Sequence, residues 1–186
     1  MKASKSLLIV CVLFILSCQD KKEQVGDTSK EVKFKKSFYF NEERIKNAKY
    51  RVKYYGDIVA FGDLSVYYSY NELKKEEFLP YILLMVEKHK QYKYCTIAFT
   101  SFLEFYANSN NKYDGTQESL IVYLSNLNKL NNDQRQYVLY FVKLGAANKN
   151  FESIKLLELL YREGIGVDQS ETKADSLKIV LDKLKK

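Results

Sequence analysis

Side chains able to do chemistry are few in this chain and do not converge. A metal centre needs several His, Cys or carboxylate ligands in one site, and the single histidine, His89, sits between Lys88 and Lys90, a solvated setting. No serine has a histidine partner in a nucleophile-base arrangement, and Gly164-x-Gly166 closes a helix rather than opening one, so it cannot cradle a phosphate. The carboxylate pairs Glu42/Glu43 and Glu76/Glu77 fall at helix starts, where negative charge suits the helix dipole. Cys95 lies in an apolar helical pattern beside Ala98 and Phe99 and reads as a structural thiol. These residues predict no catalytic site, no metal and no cofactor. What remains is aromatic: with sixteen Tyr and eleven Phe but no Trp, Tyr54, Tyr55, Tyr67, Tyr68 and Tyr70 form the candidate binding surface for a peptide or sugar. The bland alternative is that these tyrosines are core and rim, each with its hydroxyl reaching water.

The remaining reactive position is Cys18. Lys2 and Lys5 give the chain a charged start, and Leu7 to Leu16 is an unbroken apolar run of ten residues, too short to span a bilayer but suited to an export signal. Ile15-Leu16-Ser17-Cys18 resembles the lipobox of bacterial lipoproteins: aliphatic at −3, small at −1, then the cysteine. The resemblance implies cleavage after residue 17, acylation of Cys18 and a lipid-anchored place in the cell envelope, at the outer membrane. At about 0.8 kcal/mol per buried CH₂, several acyl chains would hold the protein firmly. Residues 18–38 are polar and charged and read as a flexible tether. No disulfide can form within the mature domain, because Cys95 is then the only cysteine beyond Cys18. The net charge of +7 is spread among acids, which, with a location outside the cytoplasm, argues against nucleic acid.

Residues 39–186 read as one all-α domain of about eight helices. One proline and seven glycines cannot serve a turn-rich β protein, and no segment alternates with period two. Asn41 can cap a first helix that ends at Gly56, and a second runs from Asp57 to Tyr70 with Ala60, Leu64, Tyr67 and Tyr68 on one face. Glu76 to Lys90 is apolar nearly all round, with Pro80 near its start, and should sit centrally. A fourth helix, Lys93 to Asn108, carries Cys95, Phe99, Phe102 and Tyr106 as a stripe. The loop Asn108 to Gly115 follows. Thr116 and Asp133 are read as caps of the next two helices, and Glu152 to Glu163 and Glu171 to Lys185 complete the set.

Tyr161 to Ala174 joins the last two helices. Gly164 and Gly166 can take the left-handed geometry that ends a helix, Val167 is expected to plug the turn, and Ser170 to cap the final helix. This unit is similar to the Sel1-like repeat, a relative of the tetratricopeptide repeat. Ala146, Ser153, Leu157, Leu159, Tyr161, Gly164, Gly166, Val167, Lys173 and Ala174 fall at that family's positions, with Ser170 replacing the acidic cap. Glu158 and Lys149 stand where the family has glycine, and Leu177 replaces an aromatic. A weaker echo lies at Gly56, Asp57, Ala60, Leu64 and Tyr68. The resemblance covers residues 144–177 and implies antiparallel helix pairs stacked as a short α-α superhelix that serves protein-protein contact. The expected function is therefore a membrane-anchored lipoprotein whose helical domain engages an unidentified protein partner, as an adaptor, secretion-system accessory or toxin-neutralising protein. The alternative is a cell-envelope enzyme or glycan-binding protein.

Overall fold

The computed structural model describes residues 41–108 and 113–185. The signal segment 1–17, Cys18 and the tether 18–38 lie outside the described residues, as do residues 109–112 of the expected loop. Among the described residues there are eight α-helices and no strand: α1 (Glu42–Tyr55), α2 (Ile58–Ser69), α3 (Leu79–Leu83), α4 (Cys95–Ala107), α5 (Gln117–Leu124), α6 (Asn132–Ala147), α7 (Phe151–Glu163) and α8 (Glu171–Leu184). Seven of them follow one another in a row of contacts: α2 packs on α1, α1 touches α3, α3 packs on α4, α4 on α6, α6 on α7, and α7 on α8, while α5 runs into the 3-10 turn Ser125–Lys129, which packs on α4.

Local chemistry sets most of the ends. The Asn41 side chain accepts from Arg44 N at 3.0 Å, with Glu42 and Glu43 in the first turn of α1, and Gly56 ends that helix in the left-handed region at φ 62°. Asp57 caps α2 by accepting from Val59 N at 2.9 Å and Ala60 N at 3.0 Å. One expected cap is corrected. Asn131, not Asp133, caps α6: its side chain accepts from Gln134 N while Gln134 reaches back to Asn131 N, a reciprocal capping box. Asp133 lies inside the first turn.

The apolar segment expected as a single helix from Glu76 to Lys90 is divided. Glu72–Phe78 winds as a 3-10 helix, Leu79–Leu83 as α3, and Leu84–Lys88 as a π turn. Pro80 has no N–H and its ring meets the carbonyl four residues earlier, so the α ladder cannot run back through Glu76. Ile82, Met85 and Val86 are wholly buried at the centre of the packing. Around them stand Phe61, Tyr68, Phe99, Phe102 and Phe141, the last pair stacked at 5.3 Å and 6°.

A close approach joins α4, α6 and α7. A Cβ at Gly145 would fall 2.1 Å from Ser153 Oγ and 2.8 Å from Cys95 Cβ, so only glycine allows these backbones to touch. Ser153 is fully buried, and its hydroxyl lies 3.2 Å from Thr96 Oγ1, which satisfies it.

At the far end of the row, Gly164 (φ 66°) and Gly166 (φ 68°) turn the chain from α7 into α8. Ser170 N donates to Tyr161 O at 2.9 Å, and the Ser170 side chain accepts from Lys173 N at 3.4 Å. The deepest residue of this turn is Ile165, which is buried, and Val167 packs half-buried against the core beside it. Ala174 is wholly buried under α7.

Candidate functional site

α4 has two unlike faces. Cys95, Ala98, Phe99, Phe102 and Leu103 are buried, whereas Thr96, Thr100 and Glu104 repeat every four residues on the other side, beside Ile97, Ser101 and Phe105. That second face is the floor of an open groove of about 1550 Å³. α2 and the segment around Pro80 make one wall, with Ser65, Ser69, Phe78 and Leu79. The opposite side is shared by Leu120 and Tyr123 of α5 and by Lys155, Leu156 and Leu159 of α7.

The floor is electrostatically organised at Glu104. Its carboxylate pairs with Lys75 across the groove and accepts from Tyr123 Oη at 3.2 Å. Burial, reinforced by the Glu104 charge, pushes the Tyr123 hydroxyl far above its ordinary range, so it stays a donor. Tyr68, at the α2 wall, is likewise pushed up, first by burial and then by Glu77, whose carboxylate accepts from it at 3.5 Å. At the rim, Asp114 accepts from Thr116 N, Thr116 Oγ1 and Ser119 Oγ; these bonds, Ser119 first, hold its carboxyl down to about 2. The groove therefore offers apolar side chains at its walls and, along its floor, the Thr96 and Thr100 hydroxyls, each already bonded within the protein, beside the Glu104 carboxylate.

The five candidate tyrosines do not share one surface. Tyr67 and Tyr68 are 9% and 1% exposed, because they continue the stripe of Ala60 and Leu64 that α2 turns inward. Tyr54 and Tyr55 are exposed at the C-terminal end of α1, where Tyr50 joins them with ring centroids 4.7 and 5.8 Å away, and Tyr70 is exposed at the other end of α2. Only Tyr68 reaches the groove. His89 is also not simply solvated: it is half-buried, packs over Gly56 and lies 3.3 Å from Lys53 O at the end of α1. Burial pushes the Cys95 thiol up to about 11, as suits an inert cysteine.

Gly164, Gly166, Val167, Ser170 and Ala174 lie together at the α7–α8 turn, where they shape the chain. Gly166 N donates to Asn128 Oδ1 at 3.0 Å, and a Cβ at Gly166 would fall 2.9 Å from Leu127 Cβ. Cys18 is outside the described residues. The groove-floor residues Thr96, Thr100, Ser101 and Glu104 went unnoticed in the sequence, although polar residues four apart on an otherwise apolar helix were a signal for them.

Among the described residues no group of three His, Cys, Asp or Glu side chains could hold a metal ion, and no helix is long and apolar enough to cross a membrane. No family model matches the chain, and neither a curated protein nor a solved structure is detectably similar to it.

Proposed function

We propose that this chain is a lipid-anchored cell-envelope protein whose helical domain captures a segment of a protein partner in the groove over α4. The observation that carries this is the groove floor, a helix face with Ile97, Thr100, Ser101 and Phe105 turned outward while its other face is core. A helical or extended segment with apolar side chains suits the Leu79, Leu156 and Leu159 walls, and its polar backbone or side-chain groups suit the hydroxyls between them.

A Sel1-like stacking of helix pairs is supported by two features beyond the glycines of the last turn. Lys149 adopts φ 59°, the left-handed geometry that glycine at that position of the family takes freely. Glu158 is held by Arg162 at 2.7 Å, and Arg162 also binds Glu171 and Asp175 of α8, so a charged residue is accommodated where the family places glycine. The anchor rests on the lipobox resemblance at Cys18 and the charged, short apolar leader before it.

The test is affinity capture from envelope extract with the full chain and with Ser101→Arg, which puts a long cation on the groove floor without touching the core. A protein that binds the parent stoichiometrically and the variant at least about tenfold more weakly supports groove capture. Equal binding by both would move the contact elsewhere. Retention of glycan fragments in place of protein would favour the carbohydrate alternative.

A further inference from the structure

We propose that the tip of the α1–α2 hairpin is a second interaction surface, one that seats in the headgroup layer of an anionic lipid membrane. α1 ends at Tyr55 and α2 begins at Ile58, so the residues around this turn project together from one end of the hairpin. Tyr54, Tyr55, Ile58 and Val59 are 52%, 68%, 47% and 64% exposed, an apolar tip where a two-residue helix connection is ordinarily polar. Tyr50 enlarges the aromatic part, its ring tilted against Tyr54 and edge-on to Tyr55.

The cations around this tip are Lys53, Lys88 and Lys90, all exposed, with Lys88 Nζ donating to Lys53 O at 2.7 Å. Lys53 Nζ and Lys88 Nζ lie 5.3 and 5.8 Å from the centre of the Tyr54 ring, and His89 packed over Gly56 fixes the Lys88–Lys90 segment beside the turn. Nearby acids do not cancel this charge. Asp57 is engaged by Arg51 at 2.5 Å and by the first N–H groups of α2, and Glu87 faces α6, where after burial its charge raises the Tyr137 and Tyr140 hydroxyls. Tyrosine rings with lysines around a small aliphatic tip are the composition of a membrane-water interface: the rings lie at headgroup depth, Lys53 and Lys90 are long enough to reach lipid phosphates, and Lys88, held on Lys53 O, adds its charge beside them. None of these residues lines the groove, so lipid contact at the tip leaves it open to a protein segment.

The attachment geometry is compatible. Asn41 begins α1 at the end opposite the tip, about 20 Å away for a helix of this length. Residues 19–40 separate it from Cys18, and a chain of that length can reach at most about 75 Å when extended, more than the length of α1. This last argument rests on the lipid anchor; the tip's composition does not.

The chain contains no tryptophan, so one introduced residue is an unambiguous reporter. The full chain carrying Tyr55→Trp is mixed with phosphatidylglycerol-phosphatidylethanolamine vesicles containing a shallow doxyl lipid, and with phosphatidylcholine vesicles carrying the same quencher. Ile179→Trp, exposed on α8 at the other end of the row, is the control, and circular dichroism checks each fold. The expected result is about twofold quenching of Tyr55→Trp on anionic vesicles, weaker on neutral ones, reduced by Lys88→Glu and absent for Ile179→Trp. Tyr55→Trp no more quenched than the control would overturn the proposal, as would shielding of the tip that requires envelope protein rather than lipid. Carbonate-resistant membrane retention of the parent in cells, compared with Cys18→Ser, reports the anchor separately. A chain so retained with an unquenched tip contradicts the tip alone, and one not retained yet quenched on added anionic vesicles contradicts only the anchor.

Discussion

The α1–α2 and α7–α8 hairpins stand at opposite ends of the helix row and turn by the same chemistry, yet their tips differ. Each uses a left-handed glycine, Gly56 or Gly164, followed by a side-chain cap, Asp57 or Ser170. The α7–α8 turn folds back on the molecule, with Ile165 buried and Gly166 against Leu127. The α1–α2 turn exposes Ile58 and Val59. Turn chemistry therefore says where a helix ends; whether the tip is held or offered is decided by what the rest of the chain packs over it.

The comparison can be broken most forcefully at the apolar residues of the two tips. Ile165→Ala should cost about 2–4 kcal/mol in chemical denaturation, whereas Val59→Ala should stay within about 0.5 kcal/mol. Similar losses from the two would mean that the α1–α2 tip is held as firmly as the other.

The glycines follow. Gly166→Ala combines φ 68° with a clash at Leu127, and Gly56→Ala combines φ 62° with a Cβ 2.5 Å from His89 Cγ; each should cost about 2–3 kcal/mol. Gly164→Ala meets only Gln169 Cβ at 3.1 Å and should cost about 1 kcal/mol. Because the Gly56 clash is with one side chain, His89→Ala should recover part of its loss in a double-mutant cycle, and strict additivity would contradict that packing.

The caps sharpen the difference further. Asp57 accepts two backbone N–H groups and Arg51, while Ser170 accepts one long bond, so Asp57→Ala should cost about 1–2 kcal/mol and Ser170→Ala about 0.5 kcal/mol. The Ala60 N–H bond, followed by Arg51, holds the Asp57 carboxyl below its ordinary value of 3.8. Its contribution is thus present above the unfolded carboxylate range and is lost as pH falls through the lowered value. Acid titration of the parent should show a stability loss that Asp57→Asn reduces. Ser170 gives the α7–α8 hairpin no corresponding acid dependence.

How far all this was legible follows from the range of the interactions involved. Helices bounded by Asn41, Gly56, Asp57, Thr116 and Gly164 were readable because each boundary is written in neighbouring residues. The division at Pro80 was only half readable: the proline marks a break, but whether the flank winds as a 3-10 helix or a π turn depends on packing against α2 and α4. Asp133 and Asn131 are both plausible caps on composition, and Gln134 three residues after Asn131 was the deciding signal. The tyrosines misled because Tyr67 and Tyr68 share the stripe of Leu64, which points to burial, while Tyr54 and Tyr55 do not. The groove was hidden for a different reason. Its floor lies on one helix, but its walls come from α2, α5 and α7, which no local pattern brings together.

The central claim is that the α4 groove holds a segment of a protein. A photo-crosslinking residue at Ser101, with Ile179 as the control position, tests it in intact cells. One discrete protein adduct from Ser101, absent from Ile179 and suppressed by a neighbouring Thr100→Arg change, is the predicted result. No adduct from Ser101 in a folded, membrane-located chain, or the same adducts from both positions, would contradict it.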